Sequence, residues 1–106
     1  MLLNTTYRPL GLVISLVETT GIDVTYAYDD LVFAGESVLI LQFDDIKRHN
    51  LHLFFNEDCI KTDADRLEHK LKAASRDFGF DILRSGNFTL QQNEGREDLS
   101  VSFSPL

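Results

Sequence analysis

The eleven residues HNLHLFFNEDC, from His49 to Cys59, hold two histidines, two carboxylates and the single cysteine of the chain. Imidazole, carboxylate and thiolate together are the donor set of a zinc site, and a cysteine near a histidine is also the start of a nucleophilic centre. The spacing argues against both. In a strand successive side chains alternate faces, so His52 lies with Phe54, while Leu51, Leu53 and Phe55 lie opposite and His49 points away from His52. Neither a Cys-x-x-Cys knuckle nor a histidine pair four apart on a helix occurs. His69 falls opposite the apolar stripe of the helix described below and faces water. The stretch therefore reads as a turn at His49, a strand with His52 near a sheet edge, and Cys59 as a small apolar filler ahead of a helix. No metal and no cofactor is expected.

A second group with chemical potential is the pair of acidic doublets Asp29–Asp30 and Asp44–Asp45. Both follow strands that run the same way in an up-and-down meander, so they can share one rim of a sheet. Four carboxylates there could hold Ca²⁺ or Mg²⁺, act as a general acid and base, or face a partner. No Asp-x-Asp-x-Asp-Gly loop accompanies them, and acidic residues end strands for ordinary turn reasons, which favours a solvated rim. There is no Gly-x-Ser-x-Gly elbow and no Gly-rich loop between a strand and a helix. GES at 35–37 and SGN at 85–87 read as turns. The chain is expected to be non-enzymatic.

The elements that must position these residues are legible in outline. GLVISLVET (11–19) reads as a first strand, followed by IDVTYAY (22–28) with Ile22, Val24, Tyr26 and Tyr28 on one face, then LVFA (31–34), VLILQF (38–43) and LHLFF (51–55). This is a β-meander of about five strands. Ala64, Leu67, Leu71, Ala74 and Phe78 recur at steps of three and four and define one amphipathic helix over about 63–78. Thr62 or Asp63 is placed as its cap, and Gly79 followed by Phe80 suits a Schellman ending. After a short stretch, DILRSGN, the segments FTLQQ and LSVSFS flank a loop at NEGRE, with Leu99, Val101 and Phe103 inward, forming a C-terminal hairpin. The fold class is α+β, with a mostly antiparallel, strongly curved sheet in a single small domain over 1–106.

With 106 residues, 43% hydrophobic content and 25% charged residues, the chain has the makings of one packed core without staples. Its net charge of −7 repels phosphate, so nucleic acid and anionic membrane are poor partners. The apolar run Leu10–Val17 has the length of a signal-peptide core, but Glu18 ends it and no small-x-small site follows. A membrane-spanning helix would need roughly 20 apolar residues. One cysteine makes no internal disulfide, and a reducing cytoplasm is the expected setting.

Residues 61–84 carry six of the ten bases and five of the seventeen acids, so the negative field belongs to the strands and loops and suits a basic protein partner. The segments LVISLV, VLIL and LHLFF are apolar on both faces, whereas one helix covers only one face of a sheet. A homodimer, a folded-over hairpin or barrel closure would cover the other. The leading expectation is a protein-association module that self-associates. The alternative is a ligand-binding barrel whose pocket is lined by Tyr26, Tyr28, Phe33, Phe43, Phe54 and Phe55.

Overall fold

The structure is a computed structural model that describes residues 9–92 and 99–106. Helix α1 (Leu10–Thr19) comes first, then strands β1 (Val24–Tyr28), β2 (Leu31–Ala34), β3 (Leu39–Phe43) and β4 (Asn50–Asn56). Helix α2 (Lys61–Ser75) runs into a 3₁₀ turn at Arg76–Phe78, and strands β5 (Asp81–Gln92) and β6 (Leu99–Pro105) complete the chain. The six strands lie side by side in sequence order. All neighbours are antiparallel except β4 and β5, which run parallel because α2 carries the chain back across the sheet. The fold is α+β, and its sheet keeps two edges, β1 and β6, and does not close into a barrel.

The segment read as a first strand is helix α1, so the meander has four strands. Leu10, Val13, Leu16 and Val17 face the core at steps of three and four, and Val13, Leu16 and Val17 are fully buried. A short apolar run rich in β-branched residues satisfies both periods, and packing against α2, β1 and β2 selects the helix. Helix α2 starts at Lys61, with Ile60 as its uncharged N-cap and no side-chain cap from Thr62 or Asp63. Its end follows the Schellman pattern. Gly79 adopts φ 76°, Phe80 N–H donates to Ser75 O, and Gly79 N–H donates to Arg76 O.

Two bulges change which residues share a face. One at Thr25 breaks the expected alternation, so Val24 and Ala27 pack toward the helices while Tyr26 and Tyr28 stand on the opposite face. The other lies in β5, where Leu53 pairs with Arg84 but Phe54 pairs with Gly86, leaving Ser85 as the extra residue. DILRSGN and the SGN turn within it are thus part of one twelve-residue strand. LVFA is a strand in its own right, paired on both sides. The loop expected over 93–97 lies outside the described residues, as does the side chain of Leu99.

Both helices cover the same face. Among the described residues, fifteen buried residues form the core between that face and the helices, including Leu41, Leu51, Leu53 and Phe55, against three on the other face, Ile40, Phe54 and Phe88. At about 2 kcal/mol for each large side chain removed from water, the helix-covered side dominates the stability of the fold.

Candidate functional site

The face that the helices leave uncovered can be mapped from the strand register. Its outermost row reads Tyr28, Leu31, Gln42, His52 and Leu83 from β1 to β5, and the next reads Tyr26, Phe33, Ile40, Phe54 and Gly86. Phe88 and Phe103 follow, and the Phe54 and Phe103 rings meet at 4.5 Å between centroids. At the β1 end Tyr26 lies against Tyr28 and Phe33. Tyr28 is 66% exposed, Tyr26 56%, Leu83 43% and Phe103 38%, so a largely apolar, uncharged surface runs across the sheet. The six aromatics expected to line one pocket are divided. Phe43 and Phe55 belong to the helix-side core, whereas Tyr26, Tyr28, Phe33 and Phe54 lie on the uncovered face.

The two acidic doublets follow strands, β1 and β3, that end at the same side of the sheet. Phe43 N–H donates to the Asp30 carbonyl and Gln42 Nε2 donates to Asp30 Oδ2 at 3.2 Å, which holds the β1–β2 turn against the end of β3, where Asp44 and Asp45 follow. Asp29 takes the left-handed φ of 57° that this two-residue turn demands. The carboxylates are not equivalent. Asp44 Oδ2 accepts from the backbone N–H groups of Ile46 and Lys47 at 2.9 and 2.8 Å, and Asp44 Oδ1 accepts from His52 Nε2 at 2.7 Å. The Lys47 amide, then His52, then the Ile46 amide hold the Asp44 carboxyl down at about 2, so it is ionised at neutral pH.

The other ring nitrogen of His52 reaches the bulge. Its Nδ1 lies 2.8 Å from Ser85 Oγ, and Ser85 Oγ also lies 3.0 Å from the Leu83 carbonyl. An ionised carboxylate only accepts hydrogen bonds, so in neutral His52 the proton sits on Nε2 and Nδ1 is left as the acceptor for the Ser85 hydroxyl. When His52 is charged, Nδ1–H donates to Ser85 Oγ and the hydroxyl proton turns to Leu83 O. Asp44, His52 and Ser85 thus form a hydrogen-bonded relay in which a pinned carboxylate orients an imidazole toward a hydroxyl. A concavity of about 250 Å³ lined by Gln42, Asp44, Asp45 and His52 adjoins it.

His52 therefore sits on β4, an interior strand, and not near an edge. Ser85 is 33 residues from His52 across a helix, beyond the reach of any local pattern; the one local signal for it is a glycine, Gly86, inside a strand-like segment, a mark of a bulge. The remaining residues of the opening stretch are dispersed. His49 is exposed and 4.0 Å from Asp81, and His69 is exposed on α2. Cys59 packs against the helix-side core, and burial, with Asp63 nearby, pushes its thiol up and away from the reactive thiolate. Among the described residues no three His, Cys, Asp or Glu side chains are grouped to hold a metal ion. A more open groove of about 780 Å³ at the far side of β4 is lined by Lys47, His49, Lys72 and Arg76, with Lys72 engaged by Glu68 at 2.7 Å. Among the described residues no helix is long and apolar enough to cross a membrane. Comparison of the chain with family models, with curated proteins and with solved structures finds no match.

Proposed function

We propose that this chain works by association, its uncovered sheet face packing against the same face of a second copy. The observation that carries this reading is the exposed aromatic surface of Tyr26, Tyr28 and Phe103 on the side opposite both helices. None of the residues in the two mapped rows is Asp, Glu, Lys or Arg, and charge depletion at the centre with charges at the margin is the anatomy of a protein interface. Two identical uncharged faces are self-complementary about a twofold axis, which a chain of net charge −7 could not achieve through its acidic surfaces.

The face is modest in size. Strands ~4.8 Å apart and same-face residues ~6.8 Å apart along each strand give on the order of 500 Å² per copy, about 1,000 Å² for a pair, near the lower bound for a specific interface. The dimer should therefore dissociate on dilution. Light scattering over a concentration series is expected to show a mass rising from one chain toward two, and Tyr26→Asp with Tyr28→Asp should hold it at one. A monomer at every concentration would overturn the reading. A monomer whose mass rises only when a basic protein is added would assign the interface to the rim of Asp29, Asp30, Asp44 and Asp45 instead.

A further inference from the structure

Beyond association, the relay at the margin of the uncovered face has the parts of a nucleophilic centre. A serine hydroxyl attacks a carbonyl only if a neighbouring base removes its proton, and the working arrangement is a hydroxyl and a base in hydrogen-bond contact with a third group orienting the base. Ser85 Oγ, His52 Nδ1 and the Asp44 carboxylate meet that description at 2.8 and 2.7 Å. The Asp44 carboxylate is itself fixed by two backbone amides, so it cannot swing away from the imidazole. Regular alternation puts Ser85 on the face of Leu83 and His52, and the bulge leaves it there as the extra residue, with Gly86 taking the place opposite Phe54. The relay is open to solvent, with His52 30% and Asp44 24% exposed, and exposed Leu83 and the Phe54 ring lie in the rows beside it.

We propose that Ser85 is an acyl acceptor, with His52 as its general base, that reacts with esters of apolar carboxylic acids whose acyl chain lies on the neighbouring apolar surface. In the step, Ser85 Oγ forms a bond to the ester carbonyl carbon as its proton passes to His52 Nδ1. The tetrahedral intermediate collapses with cleavage of the carbonyl carbon–oxygen bond, and the departing alkoxide or phenoxide takes the proton from His52. No oxidant or metal enters the balance. Ser85 and His52 are the catalytic residues, and Asp44 is a positioning residue that holds the proton on Nε2 so that Nδ1 can act as the base.

The test uses the full chain and p-nitrophenyl hexanoate. The expected result is release of nitrophenolate with a burst of one equivalent per chain, and peptide mapping that places the hexanoyl group on Ser85. Ser85→Ala should abolish that label, and His52→Gln should slow acylation by about 10²-fold or more, the usual contribution of a positioned base. Ser85→Cys should still be acylated, which guards against loss of the label through misfolding of Ser85→Ala. Asp44→Asn should displace the pH–rate profile of acylation, which a purely structural role would not do. Labelling is repeated on the Tyr26→Asp and Tyr28→Asp double variant, so that occlusion by a second copy cannot explain silence and the two proposals fail separately. Absence of Ser85 acylation in both backgrounds, or acyl groups on lysines alone, would overturn the assignment.

Discussion

Asp44 is the residue on which most of the local chemistry turns, because its two oxygens serve different partners. One oxygen closes the turn after β3 through the Ile46 and Lys47 amides, and the other fixes the proton of His52. Its folded pKa of about 2 lies below the ordinary value of 3.8. Between those values the unfolded chain binds more protons than the folded one, so the stabilisation is complete above about pH 4 and is lost as pH falls through 2. Urea midpoints of the parent and Asp44→Asn chains should differ at neutral pH and converge across that window. Glu36 supplies a second test at this scale. Gly35, Glu36 and Ser37 all have positive φ, at 66°, 56° and 70°. A left-handed conformation costs a side-chain-bearing residue about 1–2 kcal/mol, against about 0.5–1 kcal/mol for the extra freedom of glycine in the unfolded chain. Glu36→Gly is therefore expected to stabilise the fold by about 0.5–1 kcal/mol in a urea melt. The hydrogen bond from its backbone N–H to Thr25 Oγ1 is retained.

Between elements, α2 is tied to β5 by Arg84. Its guanidinium reaches Asp65 at 2.7 Å and Glu68 at 3.1 Å and lies 5.0 Å from the centre of the Phe55 ring. Hydrogen bonding to Asp65 leads in raising the Arg84 pKa, and at Glu68 the pairs with Lys72 and Arg84 outweigh a burial that alone would raise its pKa. The clamp has a cost, because Arg84 Nε is buried without a partner, a deficit of about 1–3 kcal/mol that offsets much of the ion pairing. Arg84→Met, which keeps the stem over Phe55, should thus lower stability by only about 1 kcal/mol. Arg84→Ala, which removes that packing as well, should lower it further. Helix α1 makes no comparable polar contact with the sheet among the described residues and is held by burial of Val13, Leu16 and Val17. Leu16→Ala is expected to cost about 2–5 kcal/mol through the cavity it leaves, read from the shift of the denaturation midpoint.

Across the whole molecule, apolar cover and charge oppose each other. In the proposed dimer the uncovered face would draw two copies together, while two chains of net charge −7 repel. Salt screens charges beyond about 10 Å at 0.1 M and leaves apolar contact intact, so the dimer is expected to tighten as sodium chloride is raised. Sedimentation velocity at fixed protein concentration checks this. Weakening with salt would mean that ion pairs, and not the aromatic face, hold the copies together. The edges matter at this scale too. At Gly86 an added Cβ would meet the Ser104 carbonyl oxygen and the Pro105 backbone, so only glycine lets β6 lie close beside the bulge. Gly86→Ala should loosen β6 first, seen as faster amide exchange in residues 99–104.

Periodicity and composition determined the α+β class, the strands from β1 to β4, the body and C-terminal stop of α2 and the final strand pair, because each of these depends on neighbours in the chain. The sharing of one rim by Asp30 and Asp44 also followed from counting strand reversals. Tertiary structure decided what local pattern leaves degenerate. LGLVISLVET carries both a strand-like and a helical pattern, and only the need to cover β1 and β2 made it α1. Bulges at Thr25 and Ser85 each reversed the inward–outward order downstream, and no periodicity announces where an extra residue will be inserted. The relay of Asp44, His52 and Ser85 belongs wholly to this second class. Its members meet because a parallel crossover through α2 lays β5 beside β4, a pairing set by packing across the chain and not by spacing along it.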